Sequence, residues 1–182
     1  MQHPAASTES TRGPDTKLIV IRGSAGSGKT TMARAIRERV SEPVALVERD
    51  YFQRTVLNQI DAGPHPETAD LIDQVIEFSL QRGFHVVLDG TLNAVTYRAT
   101  LEKLYLEYPG RTTFFAFDLA FEETLRRHGT RAAASEFGEA EMREWFRGWQ
   151  PLGFVAEERI TAGESVATIV ERIGKASGLL PL

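Results

Sequence analysis

The chain has 182 residues, a length that fits one domain with a sizeable core. Apolar residues make up 42% and charged residues 25%, which excludes extensive disorder and collagen- or mucin-like chains, and the absence of cysteine excludes a disulfide framework and thiolate metal sites. A balance of 21 Lys and Arg against 25 Asp and Glu gives a net charge of −4, which weighs against a general binder of long polyanions; no apolar run is long enough to cross a bilayer, and the expected location is cytoplasmic.

Residues 1–16 are polar and rich in Ser, Thr and Pro, and read as a disordered leader before a single domain over residues 17–182. From Lys17 onward strand-like and helix-like segments alternate, the pattern of a parallel sheet with helices on both faces. Leu18 to Ile21 is a short continuous apolar run, as expected of a strand buried on both sides. After a glycine-rich turn, Met32, Ile36 and Val40 mark a helix that Pro43 stops, and Val44 to Val47 reads as the second strand. Leu71, Ile72, Val75, Ile76 and Leu80 define a further helix ending at Gly83, and Val86 to Leu88 is the third strand. Tyr97, Leu101, Leu104 and Tyr105 share one face of a helix closed by Pro109 and Gly110, and Phe114 to Leu119 is the fourth strand. Phe121 to His128 forms a short helix, Ala132 to Ala134 a mobile connection, and Glu139 to Trp149 another helix. Arg159 to Thr161 is a weak fifth strand, followed by a helix striped by Val166, Ile169, Val170 and Ile173 with Ser165 as N-cap.

The segment Gly23, Ser24, Ala25, Gly26, Ser27, Gly28, Lys29, Thr30 matches G-x-x-x-x-G-K-[ST] between a buried strand and an amphipathic helix. The glycines let consecutive backbone N–H groups curl around a phosphate while the helix aims its positive end at the same charge. Lys29 is the candidate to reach the β and γ phosphates and Thr30 to offer its hydroxyl to Mg2+, with Thr31 beside them in the nucleotide-binding set. A plain glycine-rich turn explains the same residues less completely. Such a loop serves GTPases, motor ATPases and kinases alike. The guanine-reading string N-K-x-D is missing, the nearest segment being Asn58 to Asp61, and the third strand ends in Asp89-Gly90 where a large mechanical ATPase would carry Asp-Glu. A small kinase using ATP is the expectation.

Ligands of open parallel sheets bind beyond the carboxyl ends of the strands, where Asp50 and Asp89 both fall. Asp50 is the candidate general base for an acceptor hydroxyl, and a helix N-cap is its plainer alternative. Asp89 is a candidate to hold Mg2+ through water or to position substrate, against a simple Asp-Gly turn. Arg126, Arg127 and Arg131 sit where a short helix gives way to the Ala-rich connection; they are candidates for a lid over residues 126–137, with Arg127 and Arg131 favoured, or else solvate a helix end. His85 and His128 read as structural, and Trp145, Phe146 and Trp149 as core with an acceptor-pocket wall as the alternative. Arg49, Arg54 and Arg98 either bind an acidic part of the acceptor or are solvated.

The order of these motifs resembles the small P-loop kinases that include chloramphenicol phosphotransferase, the zeta toxins and the kinase domain of phage polynucleotide kinase. The resemblance runs from Lys17 to Trp149 and rests on Gly23 to Thr30, Arg49-Asp50, Asp89-Gly90-Thr91-Leu92-Asn93, and Phe117-Asp118 before the arginine-rich helix. One departure is that the arginine after Asp50 falls at Arg54, one residue further along than the pattern. The resemblance implies a nucleoside-kinase-like α/β fold with strand order 2-3-1-4-5, Asp50 as base, Lys29 and Thr30 on nucleotide and magnesium, and a lid arginine. The expected reaction is transfer of the γ phosphate of ATP to a hydroxyl of a small molecule, a metabolite or an antibiotic. A 5′-hydroxyl polynucleotide, disfavoured by the net charge, and a nucleotide-sugar are the alternative acceptors, and a nucleotide-dependent switch is the alternative of another class.

Overall fold

Every residue of strand β1 (Leu18–Arg22) is buried, because its alternating side chains feed two separate cores. Leu18 and Val20 join the layer built with Ile72, Ile76, Leu101 and Leu104, while Ile19 and Ile21 join the opposite layer with Met32, Ile36, Ile169 and Ile173. The structure, a computed structural model, describes residues 15–60, 63–130 and 137–179. Nearly all of the proposed leader lies outside the described residues, as does the stretch 131–136 of the proposed lid, including Arg131. Thr16, assigned to the leader by sequence, is buried and accepts a hydrogen bond from Arg111 at 3.4 Å.

The five strands pair in parallel in the order β2-β3-β1-β4-β5, as the sequence predicts, with β2 at Val44–Glu48, β3 at His85–Gly90, β4 at Thr112–Phe117 and β5 at Glu158–Ile160. Helix α1 (Lys29–Arg39) follows β1 through the glycine-rich turn, and α3 (Pro66–Gln81) and α4 (Ala94–Glu107) cover the other face. Pro66 starts α3 at a position where its missing N–H costs nothing, and Asn93 caps α4 by accepting from the Thr96 N–H at 2.8 Å. Helix α5 (Phe121–Gly129) and α6 (Glu139–Trp145) precede β5, and α7 (Val166–Ser177) closes the chain with Ser165 as the expected cap. No helix among the described residues is long and apolar enough to cross a membrane.

Some expected boundaries are corrected, the fifth strand lying one residue earlier than read, at Glu158–Ile160. The fourth strand lies two residues earlier than read, at Thr112–Phe117. Helix α6 stops at Trp145 and not Trp149: Phe146 is already extended, and Gly148 adopts φ 63°, which ends helical winding. The helical segment after β2, implied by sequence only in the capping alternative for Asp50, starts ahead of Asp50. There α2 (Arg49–Tyr51) runs into a π-helical turn at Phe52–Val56, closed by the Leu57 N–H on the Phe52 carbonyl at 3.0 Å. A π turn is how a helix absorbs one extra residue, and Arg54, offset by one from the family pattern, falls inside it.

The segment between α6 and β5 is fixed by a buried ion pair. Arg22, the last residue of β1, binds Glu157 through two of its nitrogens, and the two side chains are only 6% and 1% exposed. The same guanidinium donates to the carbonyls of Gln150 and Leu92 and lies 5.6 Å from the centre of the Trp149 ring, while Glu157 also accepts from the Leu152 N–H at 2.9 Å. Removing one partner leaves the other charged and buried. Arg22→Ala is therefore expected to lose about 3 kcal/mol or more in urea denaturation, whereas Arg22→Met combined with Glu157→Leu recovers most of that loss.

Candidate functional site

The turn between β1 and α1 has the conformation its glycines allow. Gly26 and Gly28 adopt φ 76° and 105°, in the left-handed region that other residues avoid. A Cβ on Gly26 would stand 2.5 Å from the Thr124 carbonyl, so α5 packs directly on the loop. Gly28 is the N-cap of α1 and offers no side-chain acceptor, which leaves the first N–H groups of the helix pointing into the turn. Lys29 is buried, and its Nζ donates to the Ser24 carbonyl at 2.9 Å. Thr31, one residue beyond Thr30 on α1, is exposed.

Asp89 is placed by β3, one strand away from the loop. It is 4% exposed, its Oδ1 accepts from Thr30 Oγ1 at 3.4 Å, and its buried Oδ2 has no hydrogen-bond partner. Burial raises its pKa to about 6; Lys29 and the Thr30 hydroxyl pull it down, and the charges of Glu48 and Asp50 push it further up. An orphaned carboxylate oxygen beside a threonine hydroxyl, at the start of a helix that suits phosphate, fits a magnesium ion carried by a nucleotide. No group of three or more acidic or histidine ligands occurs among the described residues, so the pair suits a shared ion and not a protein-built cage.

Asp50 lies in the first turn of α2 just past β2, and β2 pairs with β3 so that Glu48 stands against Asp89. Its carboxylate is 60% exposed and accepts from Arg49 Nη1 at 2.7 Å. Arg49 is itself held by a bond from Nε to the Tyr97 hydroxyl at 3.0 Å and lies over that ring. The close approach needs Gly90, where a Cβ would meet the Arg49 Cβ at 2.6 Å. The N-cap of α2 is Glu48, and Asp50 lies inside the helix, so it does not hold the cap position of its plainer alternative.

On the other side of the loop, Arg127 donates from Nη1 to the Ser27 carbonyl at 2.9 Å and from Nη2 to the Ala162 carbonyl at 3.3 Å. Its Nε is bound to Glu123 at 2.6 Å, and Glu123 also binds the exposed Arg126. Those two arginines hold the Glu123 carboxyl down to about 2. Of the lid candidates in the described residues, Arg127 thus touches the phosphate loop and Arg126 turns away from it. His128 stacks on Phe137 at 4.4 Å and bonds its carbonyl at 2.9 Å, and His85 accepts from the Lys17 N–H at 3.0 Å. Phe146 packs on Phe121, whereas Trp149 lies between the guanidiniums of Arg22 and Arg159. Arg54 is exposed, and Arg98 pairs with Glu102 on the surface of α4.

Sequence reasoning missed Arg22, Glu157 and Tyr97. A charge ending an otherwise apolar strand next to a phosphate loop is a signal for Arg22, because such a charge needs a buried partner. Glu157 and the Tyr97 hydroxyl carry no comparable local mark.

This arrangement defines an α/β protein of the P-loop type with strand order 2-3-1-4-5 and an arginine-bearing segment at the loop. The chain belongs to the family described as AAA domain, whose model matches residues 18–166. No curated protein matches it in sequence. Similar solved structures include an APS kinase of Mycobacterium tuberculosis in complex with AMPPNP and APS, 15% identical with a TM-score of 0.69 over 90% of this chain and 98% of that one. A gluconokinase from Sinorhizobium meliloti is 20% identical with a TM-score of 0.62, covering 90% and 93%. The tunicamycin resistance protein of Deinococcus radiodurans is 16% identical with a TM-score of 0.63, covering 91% and 97%. The fold is that of the small P-loop kinases, as the motif order implies.

Because Asp89 holds a proton more tightly folded than unfolded, its contribution to stability is fully present below its ordinary value of 3.8 and is lost as pH rises through about 6. Without nucleotide or metal, Asp89→Asn is expected to be more stable than the native protein by about 2 kcal/mol at pH 8 and nearly equal to it at pH 4, as read by urea denaturation at the two pH values.

Proposed function

We propose that the chain is a kinase that transfers the γ phosphate of ATP to a hydroxyl of a small molecule. The observation that carries this reading is the exposed carboxylate of Asp50, held by Arg49 at the strand ends and close enough to Asp89 to affect its protonation. A module that only binds nucleotide has no use for such a group, whereas an acceptor hydroxyl needs a base within reach. In the proposed reaction Asp50 takes the proton of the acceptor hydroxyl as its oxygen bonds to the γ phosphorus, and the bond from that phosphorus to the β–γ bridging oxygen breaks, releasing ADP. Residues 23 to 30 bind the phosphates through backbone N–H groups, Lys29 exchanges its bond to Ser24 for phosphate oxygens, and Arg127 stands at the loop to meet charge on the transferred group. Thr30 and Asp89 would hold a magnesium ion brought with the nucleotide, which would supply neutralisation of phosphate charge. Arg131 is proposed as a second lid cation, residues 126–137 closing over the nucleotide to exclude water.

Asp50→Asn should bind nucleotide with nearly unchanged affinity, measured by calorimetry, while phosphoryl transfer slows about 100-fold or more; Lys29→Ala should lose transfer altogether while keeping the native circular dichroism spectrum. Wild-type transfer by Asp50→Asn would remove the base from the mechanism. Phosphorylation only of DNA or RNA ends, with affinity falling steeply in salt, would replace the small acceptor by a polynucleotide.

A further inference from the structure

Helix α2 is only three residues long and the Asp50 carboxylate on it is more than half exposed, so neither helix packing nor burial fixes where that carboxylate points. Among the described residues it has one side-chain partner, Arg49, whose Nη1 donates to Oδ1 at 2.7 Å. The other charges nearby are placed differently. Arg54 is exposed in the π turn and forms no ion pair with Asp50, Lys29 donates to the Ser24 carbonyl, and Glu48 is bound through both of its oxygens by Arg34. Glu48 therefore does not draw Arg49 to itself, and the orientation of Asp50 follows that of Arg49.

Arg49 is in turn seated by two residues from other elements. Tyr97 of α4 is buried in the apolar layer with Ile72, Leu101 and Leu104, and its hydroxyl accepts from Arg49 Nε at 3.0 Å, its one hydrogen bond among the described residues. Phenylalanine would fill the same space with no polar atom to satisfy, so a hydroxyl in that layer points to the bond it makes. A guanidinium is planar and rigid, and fixing Nε sets the direction in which Nη1 donates. Gly90, at the end of β3, completes the seat. Its backbone is not in the left-handed region, so conformation does not demand glycine there; a Cβ would instead stand 2.6 Å from the Arg49 Cβ and 3.3 Å from its Cγ.

We propose that Tyr97 is a positioning residue for Asp50: its buried hydroxyl sets the plane of the Arg49 guanidinium, which holds the Asp50 carboxylate in the one orientation from which it takes the acceptor's proton. The role of Arg49 is then that of a fork between two fixed points, and a positive charge alone does not replace it. The inference rests on the kinase reading for what Asp50 does, but the seating of Asp50 is measurable without any acceptor.

The first readout is the carboxyl carbon-13 resonance of Asp50 in the free full chain, assigned by its loss in Asp50→Asn. Tyr97→Phe, which keeps the ring and removes only the hydroxyl, should move that resonance; Arg49→Lys, which keeps the charge and loses the fork, should move it to the same place, and the double variant no further. The second readout is hydrolysis of magnesium ATP, with water standing in for the acceptor. Tyr97→Phe should lower kcat about ten-fold with the KM for ATP unchanged, and should have no effect in an Asp50→Asn background. An Asp50 resonance that stays at its native position in Tyr97→Phe, or shifts from Tyr97→Phe and Arg49→Lys that add, overturns the inference, as does a loss of hydrolysis of equal size with and without Asp50, which assigns Tyr97 to packing. If the resonances behave as stated but Asp50→Asn hydrolyses ATP at the native rate, the kinase reading loses its base and the seating of Asp50 by Tyr97 stands.

Discussion

The buried pair of Arg22 and Glu157 ties together three parts of the chain that are remote in sequence. Arg22 ends the central strand and immediately precedes the phosphate loop, so the guanidinium anchors the loop's first residue from below. Through the carbonyls of Leu92 and Gln150 it also fixes the turn after β3 and the irregular segment after α6. A charge in that place is costly unless every donor is satisfied, and the tight set of acceptors around it is what that cost imposes. The segment from Phe146 to Glu157 has little regular structure of its own, yet Leu152 within it is fully buried, which requires the backbone to be held at both ends.

With that base fixed, the loop is squeezed between two functional flanks. On one side α5 approaches so closely that Gly26 has no room for a side chain, and Arg127 reaches the Ser27 carbonyl. On the other, β3 brings Asp89 beneath Thr30, and Gly90 makes room for Arg49, which in turn holds Asp50. The two carboxylates are thus set apart by burial. Asp89 is enclosed and resists ionisation, while Asp50 is open to solvent.

The sheet and its order were legible because a parallel sheet buried on both faces demands unbroken apolar runs, and Leu18 to Ile21 and Val86 to Leu88 are such runs. The phosphate loop was legible because its chemistry needs glycine at fixed spacing. What escaped were features decided by contacts between distant residues. The end of α6 is marked by the extended backbone of Phe146 and the positive φ of Gly148, and a spacing of aromatics cannot reveal that. The π turn after Asp50 is one residue of surplus length in a helix, visible in the sequence only as the offset of Arg54. The partners of Arg22 and Arg49 lie far along the chain and carry no local pattern.

The register of the central strand also governs how the chain must assemble. β1 pairs with β3 and β4 and with no neighbour in sequence; the backbone of Lys17, at its threshold, meets His85 only 68 residues later. No hairpin can shelter it. During synthesis on the ribosome the most apolar strand emerges first and waits, both edges open, until two later strands have been made. Such a strand is an invitation to cross-pairing between nascent chains, and folding yield at raised temperature or crowded expression is governed by how fast β3 arrives, more than by the stability of the finished sheet.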